Sequence, residues 1–237
     1  VLYACCDTGD LPSLEVSWNH HEDKRPSQSI TVKQEISESS IKLKPLETSR
    51  LMLLPPRNED ATQVHNALMA SLNELSPYFS WATAKNLTVE EVARHVNEDR
   101  IAAHDIKSHT HLFYFVWDKN QNTFLGEVWL KILDWSVMSA YAAYWFDSRH
   151  TGKGYAREAV SKLVEYAFHE LNAKRIAIDV SVHNEKSLKL PKSLNFQSEG
   201  IMKNHYRNFV TNKIADAERF VITDIKQLNN SHRSGDL

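Results

Sequence analysis

Two of the chain's six glycines fall close together in Arg149-His150-Thr151-Gly152-Lys153-Gly154-Tyr155-Ala156. An apolar, aromatic run, Tyr141-Ala142-Ala143-Tyr144-Trp145-Phe146, precedes them and a long amphipathic segment follows, so the glycines sit where a strand gives way to a helix. Such a turn points backbone N–H groups outward, and the helix N-terminus adds partial positive charge. Together these suit a phosphate or pyrophosphate. The spacing excludes two common phosphate loops: a P-loop needs its lysine after the second glycine, whereas Lys153 precedes Gly154. A dinucleotide-binding turn wants a third glycine where Arg157 stands. Proton transfer has separate candidates. Asp179 and His183 lie on the polar face of an alternating segment, Ser187 follows closely, and Glu127 comes directly after Gly126 in an aromatic-rich stretch.

The elements that must hold these groups are legible in the periodicity. Ala156, Ala159, Val160, Leu163, Val164, Ala167, Phe168 and Leu171 form one apolar stripe at helical spacing. Ile176, Ile178, Val180 and Val182 then alternate with Ala177, Asp179, Ser181 and His183, a strand with one apolar and one polar face. A strand–helix–strand connection makes it parallel to the strand before the glycines. Strands over 112–117, 124–133 and 141–146 are joined by short polar turns and read as antiparallel hairpins. Upstream, a strand at 50–54 is stopped by Pro55-Pro56. A helix capped by Asn58 follows, carrying Ala61, Val64, Ala67, Leu68, Leu72 and Leu75. The next helix opens with the capping box Thr88 and Glu91 and turns Val92, Val96 and Ile101 inward. A short helix from Asn184 and two strands, around 199–206 and 216–223, close the pattern.

At 237 residues and 42% hydrophobic, the chain can bury one good core. The expected division is a flexible tail over 1–41, one domain over 42–229 and a short tail over 230–237, the first tail contributing nothing to the site. The 28 Lys and Arg residues are scattered and the net charge is −2, so neither nucleic acid nor a membrane surface is an expected partner. No apolar run approaches the roughly 18 residues of a membrane span. Cys5 and Cys6 are neighbours and cannot staple a fold, which fits a reducing cytoplasm.

With the order of elements in place, the region from Leu46 to Asp224 resembles the GCN5-related N-acetyltransferase (GNAT) superfamily, and within it the ribosomal-protein N-acetyltransferase (RimJ/RimL-like) branch. Four landmarks carry the resemblance. These are Leu46-Glu47-Thr48-Ser49-Arg50-Leu51; Leu75-Ser76-Pro77-Tyr78-Phe79-Ser80-Trp81-Ala82; Tyr144-Trp145-Phe146 before the glycine turn; and Asn184 with Ser187 ahead of Leu194-Asn195-Phe196. The resemblance implies an α/β fold with a central, mixed but mostly antiparallel sheet of about seven strands, flanked by helices in about four segments. It implies acetyl-CoA as the donor, a primary amine as the acceptor and direct transfer without a covalent enzyme intermediate. The acceptor first in line is the α-amine of a protein N-terminus, such as a ribosomal protein. A small amine (amino acid, polyamine or drug) and a non-catalytic acyl-CoA sensor are the alternatives, and the assembly is expected as a monomer or a homodimer.

By the same resemblance, Tyr144, Trp145, Phe146, Arg149, His150, Thr151, Gly152, Lys153, Gly154, Tyr155, Ala156, Asn184 and Ser187 hold the coenzyme, and Tyr78, Phe79 and Trp81 line the acceptor groove. A backbone N–H near Trp145 or Phe146 faces the thioester oxygen. Asp179 is the first candidate base, His183 the second and Glu127 the third. The acid departs from the commonest pattern. Pro191 stands where many relatives carry a tyrosine seven residues after the motif asparagine, so Ser187 or water must protonate the departing thiolate. Asn195 replaces a glycine at a helix end, an exchange that a left-handed conformation tolerates. His109 and His111 share one strand face, but no third ligand has metal-site spacing, and no metal is expected.

Overall fold

The computed structural model describes residues 3–4, 43–83, 87–102 and 111–229. Cys5, Cys6, His109, the packing of Ile101 and the segment 230–237 lie outside the described residues. In chain order the elements are β1 Tyr3–Ala4, β2 Leu46–Glu47, β3 Leu51–Leu54, α1 Ala61–Leu75, α2 Val89–Ala102, β4 His111–Asp118, β5 Thr123–Asp134 and β6 Ser139–Phe146. These are followed by α3 Tyr155–Glu170, β7 Arg175–Ser181, α4 Glu185–Ser193, β8 Gln197–Arg207, β9 Ile214–Ile222 and α5 Ile225–Asn229. The expected α/β fold with a mixed, mostly antiparallel sheet is present. The strand order is β2-β3-β4-β5-β6-β7-β9-β8, with β1 added against β6. Two short strands, β1 and β2, and the closing helix α5 go beyond the expected set.

Each face of the sheet has its own core. On one face Tyr114, Val128, Tyr144, Ile176 and Ile178 pack against the stripe of α3, where Ala159, Val160, Leu163, Val164 and Ala167 are fully buried. On the other, α1 and α2 bring Val64, Leu68, Val92 and Val96 onto Phe115, Trp129, Ala143 and Trp145. Period-two alternation along each strand is what sends Tyr144 to one core and Trp145 to the other.

Local signals were mostly honoured. The backbone N–H of Glu91 donates to Thr88 Oγ1 at 3.2 Å, opening α2. Asn195 has φ +60° and ends the turn after α4. The start of α1 differs from the Asn58 cap: Asn58–Asp60 form a single 3₁₀ turn held by Arg57, whose N–H donates to Asp60 Oδ2 at 3.1 Å. Pro191 falls within the last turns of α4 without ending it, because a helix loses only one hydrogen bond there.

The strand that positions the site is fastened at Gly126. This residue faces Phe146 across the β5–β6 ladder with φ +154°, and a Cβ there would lie 2.3 Å from the Trp145 carbonyl oxygen. No side chain fits. β6 is parallel to β7 only through Ser139↔Arg175, Ala140↔Ile176 and Tyr141↔Ala177, and beyond Tyr141 the two edges diverge. Tyr3–Ala4 enter this opening, pairing Tyr3↔Trp145 and Ala4↔Tyr144. The backbone of that short segment is thus part of the sheet, where the sequence reading had only a tail. Among the described residues no helix is long and apolar enough to cross a membrane.

Replacing Gly126 with alanine is expected to destabilise the fold by about 1–3 kcal/mol, the usual size of an overpacking penalty. Denaturant unfolding of the variant checks this, with Gly200→Ala as control, since a Cβ at Gly200 meets nothing within 4 Å although its φ is also positive at +122°.

Candidate active site

The glycine turn has the geometry that its composition called for. Gly152 and Gly154 take φ of +79° and +78°, and α3 begins at Tyr155. The turn is locked from outside by the opening motif of the domain. Glu158, in the first turn of α3, accepts from Arg50 Nε at 2.7 Å, from the Arg50 backbone N–H at 3.0 Å and from Ser49 Oγ at 3.1 Å, and Thr48 also donates to it. Arg50 Nη1 reaches the Lys153 carbonyl at 2.9 Å, and its guanidinium lies 4.7 Å from the centre of the Tyr155 ring. Tyr155 in turn donates to Asp118 Oδ2 at 2.9 Å. Arg50, Lys153 and Tyr155 therefore shape the turn.

Beside the turn, between α3 and α4, a cleft of about 390 Å³ is lined by Thr151, Gly152, Gly154, Arg157, Lys186 and Lys189 among others, with no carboxylate among the described residues. Arg157, Lys186 and Lys189 were missed by sequence reasoning. Their signal is weak, since lone cations on helices are ordinarily solvated, and only the α3–α4 packing gathers them. Arg149 does not point there: its guanidinium is folded onto the buried Asp147, which also accepts from the Arg149 N–H at 2.9 Å. Ser148 N–H donates to Ser71 Oγ at 2.9 Å, tying the loop to α1. Asn184 caps α4, accepting from the Ser187 N–H at 3.1 Å. Ser187 is fully buried beneath Tyr144, whose hydroxyl is itself buried. Burial raises the pKa of Tyr144, and the neighbouring Ser187 hydroxyl pulls the other way.

On the opposite face of the sheet lies a second cavity, of about 220 Å³, between α1, α2 and the strands. Trp81, Phe113, Trp129 and Trp145 form aromatic walls, and Glu127 and Asp99 supply the carboxylates. Trp145 Nε1 donates to Glu127 Oε2 at 2.9 Å. Burial nevertheless dominates, and the Glu127 pKa rises to about 7. Asp99 is pushed well above the usual carboxylate range by burial and by the nearby charges of Glu127 and Glu98. Of the expected groove residues, Trp81 lines this cavity, while Phe79 is fully buried behind it, its ring 4.9 Å from that of Trp81. Tyr78 serves as a tie: its carbonyl accepts from Tyr206 Oη of β8, and the Phe209 N–H donates to the Pro77 carbonyl at 3.0 Å. The α1–α2 loop and the β8–β9 hairpin are thereby tied together.

The leading base candidate is otherwise engaged. Asp179 shares the cavity's face of the sheet and is buried, but Arg219 directly across the β7–β9 ladder grips both of its oxygens, at 2.8 and 2.6 Å, and His205 lies 3.7 Å away. Both Asp179 oxygens are thus occupied by a two-pronged guanidinium. His183 is exposed at the end of β7, near Asp216. Glu127, third on sequence grounds, is the carboxylate at the junction of the cavity and β6. His111 stacks on Phe113, one wall of this cavity, with ring centres 5.6 Å apart.

The family profile described as acetyltransferase (GNAT) domain matches residues 50–197. An uncharacterized N-acetyltransferase, p20 of Bacillus licheniformis, is 37% identical over 87 residues, which are 37% of this chain and 49% of that protein. The spermidine N(1)-acetyltransferase of Vibrio cholerae is 30% identical over 117 residues, 49% of this chain and 66% of that protein. The chain thus spans about half to two thirds of the length of these relatives. Among solved structures, RimL, a ribosomal L7/L12 alpha-N-protein acetyltransferase in complex with coenzyme A, superposes with a TM-score of 0.67 at 19% identity. The match covers 77% of this chain and 99% of that one.

The raised pKa of Glu127 has a stability consequence. The folded state holds this proton more tightly than the unfolded state, so stability is lost as pH rises from the ordinary carboxyl range through about 7. Thermal melts between those limits should show a falling midpoint, and Glu127→Gln, which cannot ionise, should flatten that part of the slope.

Proposed function

The chain belongs to the GNAT acetyltransferase domain family, and on that premise we propose that it moves acetyl from acetyl-CoA directly to a primary amine. The observation that carries this reading is the arrangement around β6. A cationic cleft lies at the glycine turn that follows β6, and a cavity with carboxylates lies on the α1–α2 face of the sheet against Trp145 of the same strand. Anionic phosphates suit the first and an ammonium suits the second. The coenzyme itself supplies an activated thioester.

The residues that fit it are the N–H groups around Gly152 and Gly154, with Arg157, Lys186 and Lys189 for phosphate charge. Lysine ammoniums and an arginine beside a helix N-terminus are the donor set that phosphates need. The backbone of Tyr144 to Phe146, along the diverging edge, accommodates an extended, amide-bearing arm as it accommodates Tyr3–Ala4. That segment has to leave when the arm enters. Ser187, beneath Tyr144, is the group nearest to hand for protonating a leaving thiolate. Glu127 takes the base role expected of Asp179. A carboxyl with a pKa near 7 accepts a proton from an ammonium at neutral pH and returns it to solvent readily.

For the acceptor, the α-amine of a protein N-terminus, ribosomal by the RimL likeness, remains the first reading. A small amine is the second reading, favoured by the cavity's modest volume of about 220 Å³.

Thiol release from acetyl-CoA across a panel of N-terminal peptides and small amines tests the reading: turnover with none of them sinks the enzyme and leaves a sensor. Gly154→Val is expected to weaken acetyl-CoA binding in calorimetry by roughly tenfold or more, because a branched side chain at φ +78° strains the turn and intrudes on the phosphate's approach. Unchanged affinity in a folded variant overturns the assignment. Glu127→Gln should lower turnover by roughly 10²-fold or more and remove the ascending limb of the pH–rate profile, whereas Asp179→Asn should act mainly on stability by stranding Arg219.

A further inference from the structure

The cavity between α2 and the sheet holds more negative charge than one reacting amine can use. Glu127 and Asp99 both line it, and among the described residues that line it there is neither lysine nor arginine. Asp99 is closely surrounded by protein, faces Glu127 through space, and has no hydrogen-bond or ion-pair partner among the described residues. His95, one turn earlier on α2, also lines the cavity, but it leans toward Glu98, with Nδ1 3.5 Å from that carboxylate.

Charge can be counted through the reaction. A primary amine arrives as an ammonium and must lose one proton to attack; Glu127 gains that proton and becomes neutral. The N–C bond then forms as the C–S bond breaks, the second proton of the amine goes to the departing thiolate, which leaves as free coenzyme A, and the product amide carries no charge. Nothing in that sequence neutralises Asp99. An acceptor with a single ammonium leaves Asp99 either protonated or as an uncompensated, half-buried charge, both of which cost free energy. An acceptor with a second ammonium a few bonds from the first satisfies Asp99, and Trp81, Phe113 and Trp129 offer aromatic faces to the same cation.

We propose that the acceptor site selects an amine bearing a second cationic centre, with Asp99 holding the cation that does not react. This rests on the acetyl-transfer reading for which amine reacts, but the binding preference stands independently of it. The chemistry has two sources, a short free polyamine or a protein chain that begins with lysine, and both present two ammonium groups on a flexible aliphatic linker.

Calorimetry on the full chain, without acetyl-CoA, separates the possibilities. The ligands are putrescine, spermidine and a tripeptide beginning with lysine, set against butylamine and a tripeptide beginning with serine. The doubly charged members should bind roughly tenfold or more tightly than their singly charged counterparts, as expected for a partly buried charge pair. Asp99→Asn should erase that difference while leaving acetyl-CoA affinity unchanged. Tight putrescine with weak lysine peptide assigns a free polyamine, and the reverse assigns a protein N-terminus. Equal affinity of butylamine and putrescine together with equal affinity of the two peptides overturns the proposal, and so does a preference that survives in a folded Asp99→Asn protein. The wild-type comparison decides the matter even where the variant fails to fold. A parallel acetyl-CoA titration keeps the two readings apart: no binding there defeats acetyl transfer and leaves the dication preference to be judged by itself.

Discussion

The divergence of β6 from β7 beyond the Tyr141–Ala177 pair is the constraint around which the rest of the molecule is arranged. A parallel ladder that stops after three residue pairs leaves backbone donors and acceptors in the middle of a sheet, where they need partners. Tyr3–Ala4 supply some of them by pairing with Trp145 and Tyr144. An extended ligand with amide groups meets the same need. The opening persists because each side is fixed elsewhere: β6 by its long antiparallel ladder with β5, closed at Gly126, and β7 by its ladder with β9.

Two knots keep the ends of that opening in place. Glu158 gathers Thr48, Ser49 and both the backbone and side chain of Arg50, so the first turn of α3 is bound to the β2–β3 corner more than a hundred residues earlier in the chain. This explains why the motif at the start of the domain accompanies a glycine turn far downstream. Against its burial, hydrogen bonds from Thr48 and from the backbone and side chain of Arg50, with the charge of that side chain, hold the Glu158 carboxyl below its usual range. On the other side, Tyr206 and Phe209 bind the Tyr78 and Pro77 carbonyls, which ties the β8–β9 hairpin to the α1–α2 loop.

The sheet separates charges of opposite sign. Arg157, Lys186 and Lys189 gather on the α3–α4 face, while Glu127 and Asp99 sit among aromatic rings on the α1–α2 face. Trp145 connects the two, its backbone at the opening and its indole N–H on Glu127. An anionic donor and a cationic acceptor can thus approach one strand from opposite sides without sharing a surface. The Asp179–Arg219 pair, with Arg219 also 5.0 Å from the centre of the Tyr141 ring, fills the same face without facing the cavity and serves to hold β7 on β9.

Sequence by itself determined what depends on neighbours along the chain. The alternation of Ile176 to Val182, the stripe of α3, the two glycines at positive φ, the Asn184 cap and the left-handed Asn195 are all written in spacings of a few residues, because backbone conformation and facial periodicity are local properties. Tertiary structure decided what depends on register and packing. Asp179 has the type and face of a base, but its partner Arg219 lies forty residues on, and only the β7–β9 register brings them together. Asp99 looks like one more polar residue on a helix, Val89–Ala102, rich in charge; docking of that helix on the sheet sets it near Glu127. Arg157, Lys186 and Lys189 become one cationic cleft only when α3 and α4 pack side by side. A carboxylate's pKa depends on the charges and the burial around it in space, and no spacing along the chain specifies those.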